Sequence, residues 1–339
     1  QRQMCIRDRD EPITTPIHIA FSRPMDTPSV EAKLRIQPEA EGVFSWDGKE
    51  LRFQPRTALV PGAVYTLTLE AGSHDESGRV MDEAYSWSFQ TRQPQVVFLG
   101  RPFPGAEARQ LYLASASGVL SQMTDHPGGI WDYAVHPLGE GIIYSALRED
   151  GGSDLWRMNR DGTEQNLLLA CSGAACLAPA WSPDGKRLAY ERRGIRTGAP
   201  DLDPQAGRIW LLDLERGKDL PLFEYDVPLH SPVWAPEGER LAYVSPMIPG
   251  IEVLDLETGS LQQFGNEWGA APEWSPDGQR LVLPELMLAG EDLVVHLVRV
   301  DLDQEGLVDI SGVEGTVKDV APAWSPGGGW IALGRQLLD

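Results

Sequence analysis

"PAWSPDGKRLAY" (179–190) recurs four more times along the chain, and this repetition decides the fold. The other copies are "PVWAPEGERLAY" (232–243), "PEWSPDGQRLVL" (272–283), "PAWSPGGGWIAL" (322–333) and the degenerate "YAVHPLGEGIIY" (133–144). Each copy joins a short apolar run to a turn rich in Pro and Gly, and then to a second apolar run. Because self-similarity at a fixed period indicates a repeat architecture, the repeat is interpreted before any single residue.

The spacing of the copies predicts the blades of a β-propeller. The equivalent prolines are Pro137, Pro183, Pro236, Pro276 and Pro326, so successive copies lie 40 to 53 residues apart. A period of this size, with 35 Gly and 27 Pro in 339 residues, is typical of four-stranded propeller blades. The chain is therefore expected to be all-β over residues 93–339.

The tryptophans and turns of the repeat have predicted roles. We expect the four tryptophans to end a short inner strand and to pack between neighbouring blades: Trp181, Trp234, Trp274 and Trp324. The pairs Asp184–Gly185 and Asp277–Gly278 are expected to supply the positive φ angles of a tight hairpin. A second hairpin fills each remaining half-repeat, with its turn at Gly118, Gly162, Gly217, Gly259 or Gly306.

The blade count predicts an incomplete propeller with about five to six blades represented. Val97–Phe98 begins a partial blade, four blades are whole, and the last contributes two strands. The chain stops at "WIALGRQLLD", part-way through a repeat, so we expect it to be an internal fragment of a longer bacterial protein.

The repeated phrases resemble the WD40-like repeats of TolB-type propellers, which share "WSPDG" and a "DL-x-x-G" strand end. The recurring Gly-His and Trp-Asp signature of true WD40 blades is absent, since no Gly-His pair occurs and the Trp-Asp pairs at 46–47 and 131–132 are isolated. The resemblance implies a TolB-like propeller in the periplasm or at the cell surface. It implies little about function, because propellers serve as scaffolds, ligand cups and enzyme gates.

Residues 11–92 predict a small immunoglobulin-like sandwich. "PIHIAFSRPMD", "VFSWDGKELRFQP", "VYTLTLE" and "AYSWSFQT" each alternate apolar and polar residues with the period of a half-buried strand. Their order resembles the bacterial Ig-like domain of S-layer and other cell-surface proteins. "LVPGAVY" resembles a tyrosine corner, in which Tyr65 would lock the turn that enters its strand. The resemblance implies a spacer or an adhesive stalk, and we favour a spacer.

Residues 1–10, "QRQMCIRDRD", do not match the rest of the chain and are left out of the fold prediction. They are basic and non-periodic, and they lack the apolar core of a signal peptide. They resemble translated adapter sequence at the edge of an environmental assembly. The alternative is a disordered natural tail.

Charge and cysteine usage restrict the partners and the compartment. The net charge of −21 excludes nucleic acid as a favoured partner and suits a monomer, and no apolar run is long enough to span a membrane. Cys171 and Cys176 could form a local disulfide if the protein is exported, and this pairing stays open. Cys5 has no evident partner.

A search for chemistry identifies no catalytic, cofactor-binding or metal-binding residue. The six histidines are scattered, and His136 and His296 are interpreted as structural. "REDGGSD" (148–154) and "DLDPQ" (201–205) could hold Ca²⁺, but they lack the spacing of a calcium loop, so solvated acidic loops are preferred. The insert at 192–207 is a candidate loop for contacts with a partner.

The sequence therefore predicts a non-catalytic extracytoplasmic binding or scaffold protein, in which an Ig-like spacer presents a β-propeller. Its partner is expected to be a protein or another component of the cell envelope, and no cofactor is expected. Two alternatives stay open. The propeller could gate a serine peptidase of the prolyl-oligopeptidase type whose catalytic domain lies outside the sequence, or it could be a TolB-like component of an envelope complex.

Overall fold

The structure, a computed structural model, describes residues 16–338 apart from 94, 104, 196–206, 248, 290–291, 305, 313–315 and 326–327. The chain divides into two compact units. One comprises Gln1–Val97 and Leu113–Ser121, and the other comprises Phe98–Tyr112 and Gln122–Asp339. Residues 1–10, which were left out of the fold prediction, lie outside the described residues.

The N-terminal unit is an antiparallel sandwich with its core between two sheets. Its elements, in chain order, are β1 Ile17–Ala20, α1 Thr27–Glu31, β2 Leu34–Gln37, β3 Gly42–Asp47, β4 Glu50–Pro55, β5 Val64–Leu69 and β6 Tyr85–Gln90. One sheet has the order β1-β4-β3 and the other β2-β5-β6. Alternate residues point inward, so that Leu51 and Leu67 are fully buried. The predicted Ig-like sandwich is confirmed.

Tyr65 forms the predicted tyrosine corner. Its hydroxyl accepts a hydrogen bond from the backbone N–H of Val60, five residues upstream, at 3.0 Å. The ring is buried and stacks on Phe89 with 5.7 Å between centroids. The side chain therefore ties the entering turn to the strand that comes after it.

The remaining strands form successive antiparallel blades. Blade 1 contains β7 Gln95–Gly100, β8 Gln110–Ser115 and β9 Leu120–Gln122. Blade 2 contains β10 Ile130–Val135, β11 Gly141–Leu147, β12 Ser153–Asn159 and β13 Asn166–Leu169. Blade 3 contains β14 Ala174–Trp181, β15 Arg187–Gly194, β16 Arg208–Asp213 and β17 Lys218–Pro221. Blade 4 contains β18 His230–Trp234, β19 Arg240–Ser245, β20 Gly250–Asp255 and β21 Leu261–Gly265. Blade 5 contains β22 Glu273–Trp274, β23 Arg280–Ala289, β24 Asp292–Asp301 and β25 Leu307–Asp309. Blade 6 contains β26 Val317–Trp324 and β27 Ile331–Leu337.

Within the part of the chain that the structure describes, this gives one three-stranded blade, four four-stranded blades and one two-stranded blade. Single parallel bridges, Ser153 with Ala175 and Val295 with Lys318, join blade 2 to blade 3 and blade 5 to blade 6. The predicted all-β class and incomplete propeller are confirmed. The first strands of blades 2 to 6 contact one another in sequence, β10 with β14, β14 with β18, β18 with β22 and β22 with β26. They are therefore the inner strands.

A hydrogen bond from the repeat tryptophan links neighbouring blades. The indole Nε1–H donates to the carbonyl of the second-last residue of the preceding inner strand. The pairs are Trp181 with Ala134 (3.2 Å), Trp234 with Ala180 (3.1 Å) and Trp274 with Val233 (3.2 Å). The predicted packing of these rings between blades is confirmed.

An arginine of the preceding blade stacks on the same ring. Its guanidinium carbon lies 4.6 to 5.6 Å from the ring centroid in the pairs Arg187–Trp234, Arg240–Trp274 and Arg280–Trp324. Blade 2 has Gly141 where blades 3 to 5 have this arginine, and there His136 packs edge-on against Trp181 at 4.7 Å. His136 therefore fills a structural position, as predicted.

The repeat turn differs from the prediction in one respect. Gly185 and Gly278 have φ of +68° and +67°, but Asp184 and Asp277 are not among the residues with positive φ. The prediction that both residues of each pair supply positive φ was wrong. Each aspartate instead accepts hydrogen bonds through its side chain, as Asp184 does from the Ser182 hydroxyl (2.5 Å) and the Lys186 N–H (3.0 Å). This places the aspartate in an Asx-type turn that needs no left-handed backbone.

Cys171 and Cys176 form a disulfide, with 6.1 Å between their Cα atoms. Both side chains are fully buried. The guanidinium of Arg148 donates to the carbonyls of Cys171 (3.2 Å) and Ala174 (3.0 Å), so the short loop is held from both sides. The pairing that the sequence left open is thus present.

Replacing Trp234 with Phe should lower the free energy of unfolding by about 1 kcal/mol, because it removes one net hydrogen bond and leaves the Ala180 carbonyl without its donor. Trp324 provides a matched control, since its buried Nε1 has no hydrogen-bond partner. Trp324→Phe should therefore lower the free energy of unfolding clearly less than Trp234→Phe does. Urea denaturation of both variants measures the difference, and equal losses would contradict the role given to the indole bond.

Replacing both Cys171 and Cys176 with Ser should lower the free energy of unfolding by about 2 kcal/mol, the value expected for a loop of this length. Cys5→Ser serves as the control and should leave stability unchanged. Thiol titration of the denatured, unreduced protein should find a single free thiol. Three free thiols would show that the disulfide does not form.

Candidate functional site

A cavity of about 560 Å³ lies among the inner strands of blades 2 to 5. It is lined by residues of β10, β14 and β18 and by the segment that leads into β22. Trp181, Trp234 and Trp274 contribute aromatic walls, and Pro179 and Pro232 lie beside them. This is the place where consecutive inner strands converge, so its shape depends on the whole propeller unit.

A recurring bulge shapes the cavity wall. The pairing of β14, β18 and β26 with the next strand shifts register at Ala178, Ser231 and Ala321, which have φ of +47°, +54° and +50° and which each precede a proline. Bulges bend a strand, and non-glycine residues hold positive φ only where the surroundings impose it. Since the conformation recurs from blade to blade, it belongs to the fold. It also turns Ala178 and Ser231 toward the cavity.

Asp132 occupies the equivalent position in blade 2, and its carboxylate reaches the next blade. Oδ2 accepts a hydrogen bond from the N–H of Ala178 at 2.5 Å. The other oxygen, Oδ1, is buried and has no hydrogen-bond partner. One acid side chain therefore caps the bulge of the neighbouring blade and keeps one oxygen unsatisfied.

Burial raises the pKa of the Asp132 carboxyl to about 7. The nearby Glu191 carboxylate adds to the increase, whereas the Ala178 hydrogen bond and the Arg109 guanidinium act in the opposite direction. Glu191 is itself buried and is paired with Arg193 at 2.6 Å. Arg193 is thus engaged by Glu191, and Asp132 forms no ion pair with any described residue.

Glu273 is the second acid on the cavity wall. It lies in blade 5, and burial raises the pKa of its carboxyl to about 7. Among the described residues that line the cavity, Asp132 and Glu273 are the ionisable ones, and the rest are mostly apolar, prolyl or aromatic. The arrangement suits a positively charged group that enters with an apolar flank, because such a group would supply the missing counterion.

Sequence reasoning missed both acids, although a signal was present. Asp132 stands where the other repeats have Ala or Ser, and Glu273 stands where they have Ala or Val. The pattern that identifies them is an acidic residue at a position where the other repeats have a small side chain. Burial, which only the fold provides, then determines their chemistry.

The acidic loop at 148–154 is satisfied internally. Arg148 forms ion pairs with Asp150 (3.1 Å) and Asp154 (2.5 Å). No group of three or more His, Cys, Asp or Glu side chains could hold a metal ion within the described part of the chain. The other candidate loop, 201–205, and most of the insert at 192–207 lie outside the described residues.

His296, interpreted from the sequence as structural, is buried in β24. Its Nδ1 lies 2.7 Å from Oδ2 of Asp309 in the neighbouring strand β25.

Across the described ranges, helices are too short and too polar to cross a membrane.

Comparisons with known proteins agree with this architecture. Residues 8–91 match the family model of the bacterial Ig-like domain, so the N-terminal unit is a domain of that type. The match begins inside the segment 1–10 that was left out of the fold prediction. Among curated proteins, none matches this sequence.

Solved structures resemble the chain in fold. TolB from Acinetobacter baumannii superposes with a TM-score of 0.54 at 14% identity, over 88% of this chain and 73% of that protein. Hydrazine synthase of Kuenenia stuttgartiensis superposes with a TM-score of 0.54 at 12% identity, over 72% of this chain and 42% of that protein. An oligogalacturonate lyase from Vibrio parahaemolyticus superposes with a TM-score of 0.50 at 13% identity, over 70% of this chain and 66% of that protein. The C-terminal unit thus has a β-propeller fold similar to that of TolB, and its ligand depends on its own residues.

The double variant Asp132→Asn/Glu273→Gln should be more stable than the parent protein at pH 8, and this gain should be much smaller at pH 5. Both carboxyls have a pKa of about 7 in the folded state, against about 4 when unfolded. The native state therefore holds protons that the unfolded state releases, and their contribution to stability falls as pH rises from about 4 to about 7.

Thermal unfolding between pH 5 and pH 8 measures this difference. The control is Glu224→Gln/Glu257→Gln, which removes two exposed carboxylates of the same unit. The interpretation would be contradicted if both double variants changed stability in the same way across this pH range.

Proposed function

We propose, from a bacterial Ig-like domain followed by a TolB-type propeller, that this is a non-catalytic extracytoplasmic binding protein. The Ig-like domain acts as a spacer, and the propeller holds a partner in the cavity between its inner strands. The observation that carries the proposal is the 560 Å³ cavity with two buried acids on apolar walls. Its volume lies within the usual range of ligand pockets, about 300 to 1,000 Å³.

The favoured partner is an extended polypeptide segment with one basic side chain between apolar residues. Tryptophan and proline walls offer surface for apolar side chains, and an ammonium or guanidinium group compensates Asp132 and Glu273. The surrounding protein has a net charge of −21, which attracts basic segments from a distance.

Two features support a place outside the cytoplasm. The buried disulfide between Cys171 and Cys176 is of the kind that forms and persists in oxidising compartments. The Ig-like family matched by residues 8–91 is bacterial, and the resemblance noted from its sequence is to cell-surface proteins.

The non-catalytic assignment rests on the cavity wall. Ser231 Oγ lies 3.0 Å from Nδ1 of the adjacent His230, which is the one hydroxyl–imidazole pair among the described lining residues and their neighbours. Alanines hold the same positive-φ position in blades 3 and 6, so the geometry of Ser231 comes from the repeat bulge. It is therefore not a sign of an activated nucleophile.

The test uses two fluorescein-labelled peptides, acetyl-Phe-Pro-Lys-Phe-Pro-amide and the same sequence with norleucine in place of lysine. Fluorescence anisotropy at pH 8 should show the lysine peptide binding about tenfold more tightly, the value of one compensated charge pair. This preference should shrink at pH 6, where the two carboxyls are protonated. It should be lost in Asp132→Asn/Glu273→Gln and kept in Glu224→Gln/Glu257→Gln.

Each outcome decides a different element of the proposal. Equal affinity for both peptides would overturn the requirement for a basic group and leave binding in place. Absence of binding by either peptide would overturn the cavity as the binding site. Covalent labelling of Ser231 by a fluorophosphonate would overturn the non-catalytic assignment.

A further inference from the structure

The boundary between blades 2 and 3 is held differently from the boundaries that follow it. Blades 3 to 5 each contribute an arginine that stacks on the tryptophan of the next blade, whereas blade 2 has Gly141 at that position. A Cβ atom on Gly141 would lie 2.8 Å from the carbonyl oxygen of Met158, which a side chain cannot occupy without movement of the backbone. Blade 2 therefore has no place for the arginine, and other contacts hold blade 3 against it.

The carbonyl of Cys176 makes the first of these contacts. It accepts hydrogen bonds from the hydroxyls of Ser145 (2.6 Å) and Ser153 (2.7 Å), which both belong to blade 2. Both serines are fully buried, so the carbonyl would be left unsatisfied if the blades moved apart. Since Cys176 lies on β14, the hydroxyls attach the inner strand of blade 3 directly to blade 2.

The disulfide attaches the same strand to blade 2 a second time. It joins Cys176 to Cys171, and it restricts the distance between their Cα atoms. The N–H of Cys171 donates to Oδ1 of Asp154 at 2.7 Å, and its carbonyl accepts a hydrogen bond from Arg148 at 3.2 Å. Asp154 and Arg148 belong to blade 2, so the closed loop 171–176 is a connector between the two blades.

Two residues after Cys176, the strand reaches the cavity. There the N–H of Ala178 donates to Oδ2 of Asp132 in blade 2 at 2.5 Å. The bulge at Ala178 does not itself require a disulfide, because Ser231 and Ala321 have the same positive φ in blades 4 and 6, which contain no cysteine. The connector therefore affects where the bulge lies relative to blade 2, and not whether the bulge forms.

We propose that Cys171 and Cys176 are positioning residues of the cavity, whose disulfide places the Ala178 N–H so that it holds the Asp132 carboxylate toward a basic ligand. The inference rests on the proposed function, in which Asp132 compensates the basic group. Asp132 forms no ion pair with any described residue, so the direction of its carboxylate depends on the Ala178 bond. Without the connector the carboxylate is free to turn, and a charge that is not held in place binds a ligand less well.

The variant Cys171→Ala/Cys176→Ala tests the placement of Ala178 by hydrogen–deuterium exchange. Exchange in the segment 174–181, which contains Ala178, should rise about tenfold or more, because this part of β14 then opens locally. Exchange in the segment 227–234, which contains the equivalent Ser231, should change much less. This second segment is an internal control, since a general loss of stability would raise exchange in both.

The same variant tests the effect on the ligand through the lysine and norleucine peptides at pH 8. The norleucine peptide should bind as it does to the parent protein, whereas most of the preference for the lysine peptide should be lost. A general loosening of the cavity would weaken both peptides equally, so the preference reports the position of the Asp132 carboxylate.

A second variant, Ser145→Ala/Ser153→Ala, keeps the disulfide and removes the two hydroxyl contacts. It should raise exchange in 174–181 and reduce the lysine preference in the same direction, because it frees the other attachment of Cys176. It also decides the proposal if the cysteine variant fails to fold.

Two results would overturn the proposal. One is unchanged exchange in 174–181 in both variants. The other is raised exchange there with both peptides affected equally, which would show that the disulfide stabilises the blade without positioning Asp132. Failure of the proposed function looks different, because the parent protein itself would then show no lysine preference. In that case the role toward the ligand falls with it, and exchange alone decides whether the disulfide places Ala178.

Discussion

The bond from a repeat tryptophan to a carbonyl of the preceding blade, made by Trp181, Trp234 and Trp274, is the interaction on which the propeller depends. Within a blade, strands pair along their length, whereas strand pairing between blades is limited to Ser153 with Ala175 and Val295 with Lys318 among the described residues. The indole N–H of Trp234, for example, donates to the carbonyl of Ala180 in the preceding blade, and Arg187 of that blade stacks on the indole ring. Arg187 and Arg240 also donate to the carbonyls of Gly238 and Gly278 in the next repeat turn. Tryptophan, glycine and arginine of the repeated phrase thus serve the same boundary, which explains why they recur together.

The same boundaries create the cavity. Inner strands that converge must bend, and a bulge before a proline provides the bend at Ala178, Ser231 and Ala321. Small side chains suit these positions because the neighbouring inner strand approaches closely. Asp132 departs from that pattern, and so does Glu273 two positions further along its own repeat. Function in a repeat protein is therefore best sought where a repeat departs from its own consensus.

The two units illustrate how a small sandwich and a propeller limit their exposed edges. The propeller places each inner strand against the inner strand of the next blade, so the exposed length per strand is short. The sandwich has only six described strands, and its free edges at β1 and β6 meet at a single groove.

The sequence by itself determined the all-β class, the blades and their boundaries, the positions of the turn glycines and the role of Tyr65. These depend on alternation and turn residues that lie within a few positions of one another, so they can be read locally. It erred at Asp184, because an aspartate side chain can replace a left-handed backbone in a turn, and the two solutions look alike in sequence. Tertiary structure alone decided the pairing of Cys171 with Cys176 and the capture of Asp150 and Asp154 by Arg148. It also decided the raised pKa values of Asp132 and Glu273, because desolvation is produced by four inner strands that are distant in sequence and adjacent only in the fold.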